Sequence, residues 1–191
     1  MKPIFVTGIG TEIGKTYCSA VLTELYQADY WKPVQAGELD ALDSDVVRNH
    51  CTNSKTKIHP EQFLLSEPMS PHAAARIDGI ELNLEDFKIP ETDNQLLIEG
   101  AGGLMVPIND KGDLIIDLIK HLDAEAILVS KNYLGSINHT LLSVEALKSR
   151  NIPIKGILFN GEENKETQKV IAEITGVEIL GRVPWGEKEI V

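Results

Sequence analysis

The chain's 191 residues leave room for one core-bearing domain, and a hydrophobic fraction of 42% with only two cysteines fits an ordinary reduced globular protein. A formal net charge of -11 argues against nucleic acid or an anionic membrane as the main partner, although a local cradle of amides and lysines can still hold phosphate. The opening MKPIFVTG runs straight into a strand, and no apolar run nears membrane-spanning length. A single domain over 1–191, located in the cytoplasm, is the expectation.

Ile4–Thr7 is the first of several short, apolar, β-branched runs without strict alternation. Gln95–Glu99, Ala126–Ser130, Lys155–Asn160 and Ile179–Val183 follow, as expected of parallel strands covered on both faces. Tyr30–Val34 is a weaker candidate, because Pro33 must sit at its end. Between them lie helical patterns. Gly14–Gln27 starts at a glycine turn and turns Cys18, Ala20, Leu22 and Leu25 inward. Asp113–His121 and Ile137–Arg150 are amphipathic, the latter with Leu141, Leu142, Val144 and Leu147 as its apolar stripe, and Glu166–Thr175 stops at Gly176. Residues 35–93, rich in polar and proline positions, predict helices and loops around the site. The alternation predicts an α/β fold of three layers, a mostly parallel sheet flanked by helices on both faces.

The first strand feeds Gly8-Ile9-Gly10-Thr11-Glu12-Ile13-Gly14-Lys15-Thr16 and then a helix, the setting a phosphate loop needs, so the expected fold is P-loop NTPase-like. Glycines clear the backbone N–H groups for close contact with phosphate, and the helix N-terminus adds free donors. Gly10, Thr11, Glu12, Ile13, Gly14, Lys15, Thr16 and Tyr17 form the nucleotide-binding stretch. Lys15 is expected to reach the β- and γ-phosphates, and the Thr16 hydroxyl to ligate magnesium. The spacing is one residue longer than usual, with Ile9 where the first glycine ordinarily stands. A dinucleotide-binding turn would want a glycine at Ile13 and gains nothing from Gly-Lys-Thr.

Further motifs follow in order: Trp-Lys-Pro-Val at 31–34, Ser-Asp at 44–45, Glu-Pro-Met-Ser-Pro-His at 67–72, Ile-Glu-Gly-Ala-Gly-Gly at 98–103, Leu-Gly-Ser-Ile-Asn-His at 134–139, Asn160 and Val-Pro-Trp at 183–185. With the phosphate loop, and in register over nearly the whole chain, they resemble the dethiobiotin synthetase family. The resemblance implies an ATP- and Mg2+-dependent ligase acting on 7,8-diaminopelargonate and carbon dioxide in biotin biosynthesis. One amine becomes a carbamate, ATP phosphorylates it, and the second amine closes a cyclic urea. It also implies a homodimer with the substrate site at the interface.

Two anions must meet in that reaction, which calls for clustered positive charge, here Lys15 and Lys32. Magnesium wants hard oxygen ligands, assigned to Thr16, Asp45 and Glu99, the last at the carboxyl end of an apolar strand. Asp45 is preferred over its neighbours Asp40 and Asp43 because it matches the family's Ser-Asp. The resemblance further implies Thr11 and Glu12 near the reacting groups and Gly102 beside the nucleotide. Asn160, Pro184 and Trp185 are implied at the base, with Ser70, Ser136, Ile137 and Asn138 at the substrate. Asn160 also reads as an Asn-Gly turn, Ser136 as a helix cap, and His139 as a packed or capping residue.

The chain departs from the family pattern at Ala36, Gly10 and Gly161, and at Val191, where relatives often continue. Three alternatives stand beside the ligase. One is a partition or septum-positioning ATPase switch, whose signature lysine would occupy Gly10. Another is an amide-forming ligase, which would need a further domain. The third is a nucleotide-binding subunit without activity.

Overall fold

The computed structural model describes residues 1–191. In chain order its elements are β1 (Ile4–Gly8), α1 (Lys15–Tyr26), β2 (Asp29–Trp31), β3 (Val34–Ala36), α2 (Asp43–His50), β4 (Phe63–Leu65), α3 (Pro71–Asp78), a 3-10 turn at Leu84–Asp86, β5 (Leu96–Gly103), α4 (Ile115–His121), β6 (Glu125–Lys131), α5 (Ser136–Ser149), β7 (Ile154–Asn160), α6 (Lys165–Thr175) and β8 (Ile179–Val183). Six strands form one sheet in the order β2-β5-β1-β6-β7-β8, every pairing parallel.

The unbroken apolar strands have a simple cause: both faces of the sheet are covered. Ile4 and Val6 of β1, with Leu97, Ile127 and Val129, pack on Cys18, Val21 and Leu22 of α1 and Val47 of α2. Phe5 and Ile98 point the other way, onto Ile115, Ile116 and Ile119 of α4. Leu128, Ile157 and Phe159 meet Val144 of α5 and Ile171 of α6. Successive residues of a strand face opposite sides, so both parities must be apolar.

Three details differ from the sequence reading. The run Tyr30–Val34 is not one strand. β2 ends at Trp31, and after Lys32-Pro33 the chain enters a separate two-stranded sheet in which β3 pairs with β4. Pro33 has no N–H to donate, while its carbonyl accepts from Gln62 N at 3.1 Å and Phe63 N at 2.9 Å, steering the chain away from the main sheet. Leu25 is 59% exposed, because the last turn of α1 buries nothing beyond Thr23. Leu142 is 60% exposed; two residues before Val144, it lies about 200° around the helix from the buried stripe.

Both edges of the sheet are occupied by irregular chain. Residues 57–59 run along β2, with Tyr30 N donating to Lys57 O at 2.9 Å and His59 N to Tyr30 O at 2.8 Å. Along β8 the chain folds back, so that Arg182 and Val191 exchange two backbone hydrogen bonds of 2.8 Å each. No helix is long and apolar enough to cross a membrane.

Candidate active site

The carboxyl ends of parallel strands, where a ligand crevice is expected, bring together Gly8, Trp31, the Glu99–Gly103 segment, Lys131, Asn160 and Val183. From β1 the chain turns through the glycine loop into α1, whose N-cap is Gly14 in the left-handed region at φ 85. A side chain there is excluded twice over, since a Cβ on Gly14 would stand 1.9 Å from Asn160 Nδ2. Glu12 also holds a left-handed φ of 53, unusual for a residue with a side chain, and both Thr11 and Glu12 are exposed at the loop's rim. Gly102 lies near the end of β5, beside Gly103, whose missing side chain lets the backbone of Gly8 and Gly10 approach.

Lys15 is buried against the loop, its Nζ donating to Gly10 O at 3.0 Å. Burial pulls its pKa below the ordinary lysine value, with the charge of Lys32 adding to the effect and Glu99 opposing it. Glu99 is the hub of the site. Its carboxylate is 1% exposed and accepts from the Thr16 hydroxyl at 2.8 Å, Lys32 Nζ at 3.1 Å and Tyr30 OH at 2.9 Å. Lys32 also pairs with Asp43. Burial alone would lower the Lys32 pKa, but Glu99 and Asp43 outweigh it and the net shift is upward. For Tyr30, burial and Glu99 both act against the phenolate and raise its pKa well above the usual value.

Thr16 and Glu99, two of the expected metal ligands, touch. Asp45, the third, does not join them: its carboxylate, 45% exposed, pairs with Arg48 one turn on. Side chains two apart on a helix point about 200° apart, so when Asp43 faces Lys32, Asp45 faces away. Thr16 and Glu99 still offer the neutral and anionic oxygens that magnesium favours, at the mouth of the loop.

Asn160, fully buried at the end of β7, donates from Nδ2 to Ile13 O at 2.9 Å, while its Oδ1 has no partner. Trp185 is half exposed and lies so close over Gly161 that a Cβ there would come within 2.7 Å of the indole nitrogen. Tyr17 OH donates to the carbonyl of Glu187, drawing the segment after Pro184 toward α1.

At the start of α5, Gly135 and not Ser136 is the N-cap; the buried Ser136 Oγ accepts from Tyr133 N at 3.4 Å, Ile137 is half-buried and Asn138 exposed. His139 Nδ1 lies 2.7 Å from Tyr133 OH. Ser70 precedes α3, with Pro71 at the first helical position, and its hydroxyl makes no capping bond. Sequence reasoning missed Asp43, Tyr30 and Lys131. Tyr30 had a signal: it stands two residues before Lys32 in an extended run, the spacing that sends two side chains to the same face.

A parallel sheet whose central strand runs through a glycine loop into a helix, with a lysine and a threonine at the helix start and a buried glutamate on the neighbouring strand, defines a P-loop nucleotide-binding protein. A family model described as an AAA domain matches residues 2–189. The chain is 52% identical over 189 residues to an ATP-dependent dethiobiotin synthetase BioD of Cytophaga hutchinsonii, covering 98% of this chain and 91% of that one. It is 53% identical over 193 residues to the protein of the same name from Christiangramia forsetii, covering 100% and 92%. Among solved structures, the MinC:MinD cell division complex of Aquifex aeolicus matches with a TM-score of 0.57 at 17% identity, over 98% of this chain and 83% of that one. The septum site-determining protein MinD from Pyrococcus horikoshii, complexed with Mg-ADP, matches with a TM-score of 0.55 at 17% identity, over 96% and 82%. These structural likenesses establish the fold. The chain belongs to the ATP-dependent dethiobiotin synthetase family.

Proposed function

We propose that this protein, an ATP-dependent cyclo-ligase of biotin biosynthesis, closes the ureido ring of dethiobiotin from 7,8-diaminopelargonate, carbon dioxide and ATP, working as one domain over residues 1–191. The observation that carries the proposal is the buried contact chain Thr16–Glu99–Lys32 beside the glycine loop. It gives one acidic hub, one hydroxyl and one lysine at the point where a terminal phosphate and a carbamate must meet.

One substrate amine adds to carbon dioxide and loses a proton, forming a carbamate. A carbamate oxygen then attacks the γ-phosphorus, forming the carbamic-phosphoric anhydride and releasing ADP. Finally the second amine attacks the carbamoyl carbon and gives up a proton, the C–O bond to phosphate breaks, and the ring closes. Lys15 cradles the phosphates, and Lys32, held charged by Glu99 and Asp43, faces the carbamate and the charge that builds in transfer. Thr16 and Glu99 would hold magnesium, which when bound neutralises charge on the phosphate oxygens; Asp45 could join only by leaving Arg48. Thr11 and Glu12, exposed on the rim, suit a substrate amine. Asn160 suits the base, because its free Oδ1 can accept from an exocyclic amine.

The substrate's carboxylate would meet the start of α5 of a second copy, at Ser136, Ile137 and Asn138, with Ser70 along the pocket. A groove lined by Ile9, Met105, Val106 and Leu142 supports that dimer, since it leaves Met105 and Leu142 exposed next to the phosphate loop. Purified protein is expected to release phosphate from ATP only when diamine and bicarbonate are both present. Hydrolysis independent of the diamine and stimulated by DNA or lipid would favour an ATPase switch instead. That reading has only the fold behind it, and Gly10 stands where its signature lysine belongs.

A further inference from the structure

Lys131 ends β6 directly opposite Asn160 of β7 in the sheet register. Its Nζ stands 5.0 Å from the centroid of the Trp185 ring. The same side chain lines a cleft of about 440 Å³ whose other wall is the glycine loop from Ile9 to Ile13. Lys131 therefore borders both ends of the region assigned above to a nucleotide: the phosphate loop on one side and the base wall of Asn160 and Trp185 on the other. Between a base and its β- and γ-phosphates lie the sugar and the α-phosphate.

The three lysines of the site are held differently. Lys32 is fixed by two carboxylates and Lys15 by a loop carbonyl, whereas the Lys131 ammonium rests on an aromatic face. A cation–π contact at a half-exposed ring is weak beside a charge-assisted hydrogen bond to phosphate, so an arriving phosphate outcompetes the indole. We propose that Lys131 is a further nucleotide-binding residue, whose ammonium leaves the face of Trp185 to pair with the α-phosphate. The proposal rests on the reading of Gly8–Thr16 as the ATP-binding loop.

The test is calorimetric titration of wild type, Lys131→Met, Lys131→Arg and Lys15→Ala with ADP and with ATP, in magnesium, at two salt concentrations. Lys131→Met is expected to raise Kd about tenfold for ADP and ATP alike, because both carry the α-phosphate, and to make Kd less sensitive to salt. Lys131→Arg should stay within about threefold of wild type, since it keeps the charge. ADP affinity unchanged in Lys131→Met, while wild type binds ADP and Lys15→Ala does not, overturns the proposal and leaves the loop reading intact. A loss confined to ATP overturns it equally, because the contact would then be to the terminal phosphate. If wild type bound neither nucleotide, the loop reading itself would fall, and the proposal with it.

Discussion

Lys32 Nζ and Glu99 Oε1 meet at 3.1 Å with both side chains almost wholly withdrawn from water. A buried pair of this kind is costly to break from one side, because the remaining charge has neither water nor partner. Lys32→Ala should therefore lose turnover by at least about a hundredfold and also lose stability, by roughly 3 kcal/mol. Steady-state phosphate release and urea unfolding measure the two effects. The stability loss should shrink in Lys32→Ala/Glu99→Gln while turnover stays low. The pair should survive the whole neutral range, since Glu99 and Asp43 raise the Lys32 pKa and its contribution is lost only as pH climbs through that raised value.

Gly14 and Asn160 interlock, one by lacking a side chain and the other by filling the space. Gly14→Ala is expected to push Asn160 off Ile13 O and to strain a left-handed backbone, abolishing measurable ATP binding. Asn160→Asp should weaken ATP by more than tenfold, because a carboxylate oxygen would then face the Ile13 carbonyl. Equilibrium binding of a fluorescent ATP analogue reads both, and near-wild-type affinity in Asn160→Asp would contradict the site as described.

Glu24, in the last turn of α1, clasps the segment after α2. It accepts from Thr52 Oγ1 at 2.7 Å, Thr52 N at 2.9 Å and Asn53 Nδ2 at 2.7 Å. The hydrogen bonds from Thr52 and Asn53 hold its carboxyl at about 2. A carboxylate whose folded pKa is depressed stabilises the fold above its unfolded pKa of about 4.3, and that contribution is lost as pH falls toward the folded value. The clasp is solvent-exposed, so its worth is about 1 kcal/mol. Urea unfolding at pH 6 should separate wild type from Glu24→Gln by that amount, with the gap narrowing between pH 4.5 and 2.5.

Leu142 stands exposed in the apolar groove beside the phosphate loop. If a second copy covers it, Leu142→Glu will convert a dimer to a monomer in analytical ultracentrifugation and raise the KM for the diamine, leaving ATP binding unaffected. A wild-type protein that sediments as a monomer under assay conditions would remove the shared pocket.

Much of the cluster around Glu99 is legible in the sequence because it is local. A strand, a glycine loop, Gly-Lys-Thr and a helix occupy consecutive residues, and the neighbouring strand announces Glu99 by ending an apolar run with an acid. The principal strands of the sheet are legible for the same reason: β1, β5, β6 and β7 carry two-sided apolar patterns, and β8 a weaker one that buries only Val183. What escaped depends on residues far apart in sequence. Whether Asp43 or Asp45 faces Lys32 is set by the rotation of α2, and no spacing in the chain encodes that angle. Lys131 meets Trp185 only because β6 and the segment after β8 both reach the same edge of the sheet. The small sheet of β3 and β4 was hidden because three-residue strands carry too little pattern to separate from loop.

The chain's treatment of its sheet margins has a consequence for assembly. At one margin β2 is only three residues long and is screened by Lys57–His59; at the other, Val191 is zipped onto Arg182. Each margin of the main sheet thus has part of its backbone already paired, which shortens the row of free amides and carbonyls open to a stranger's strand. A second copy then has less to gain from pairing along these margins than from covering exposed apolar side chains such as Leu142 on α5.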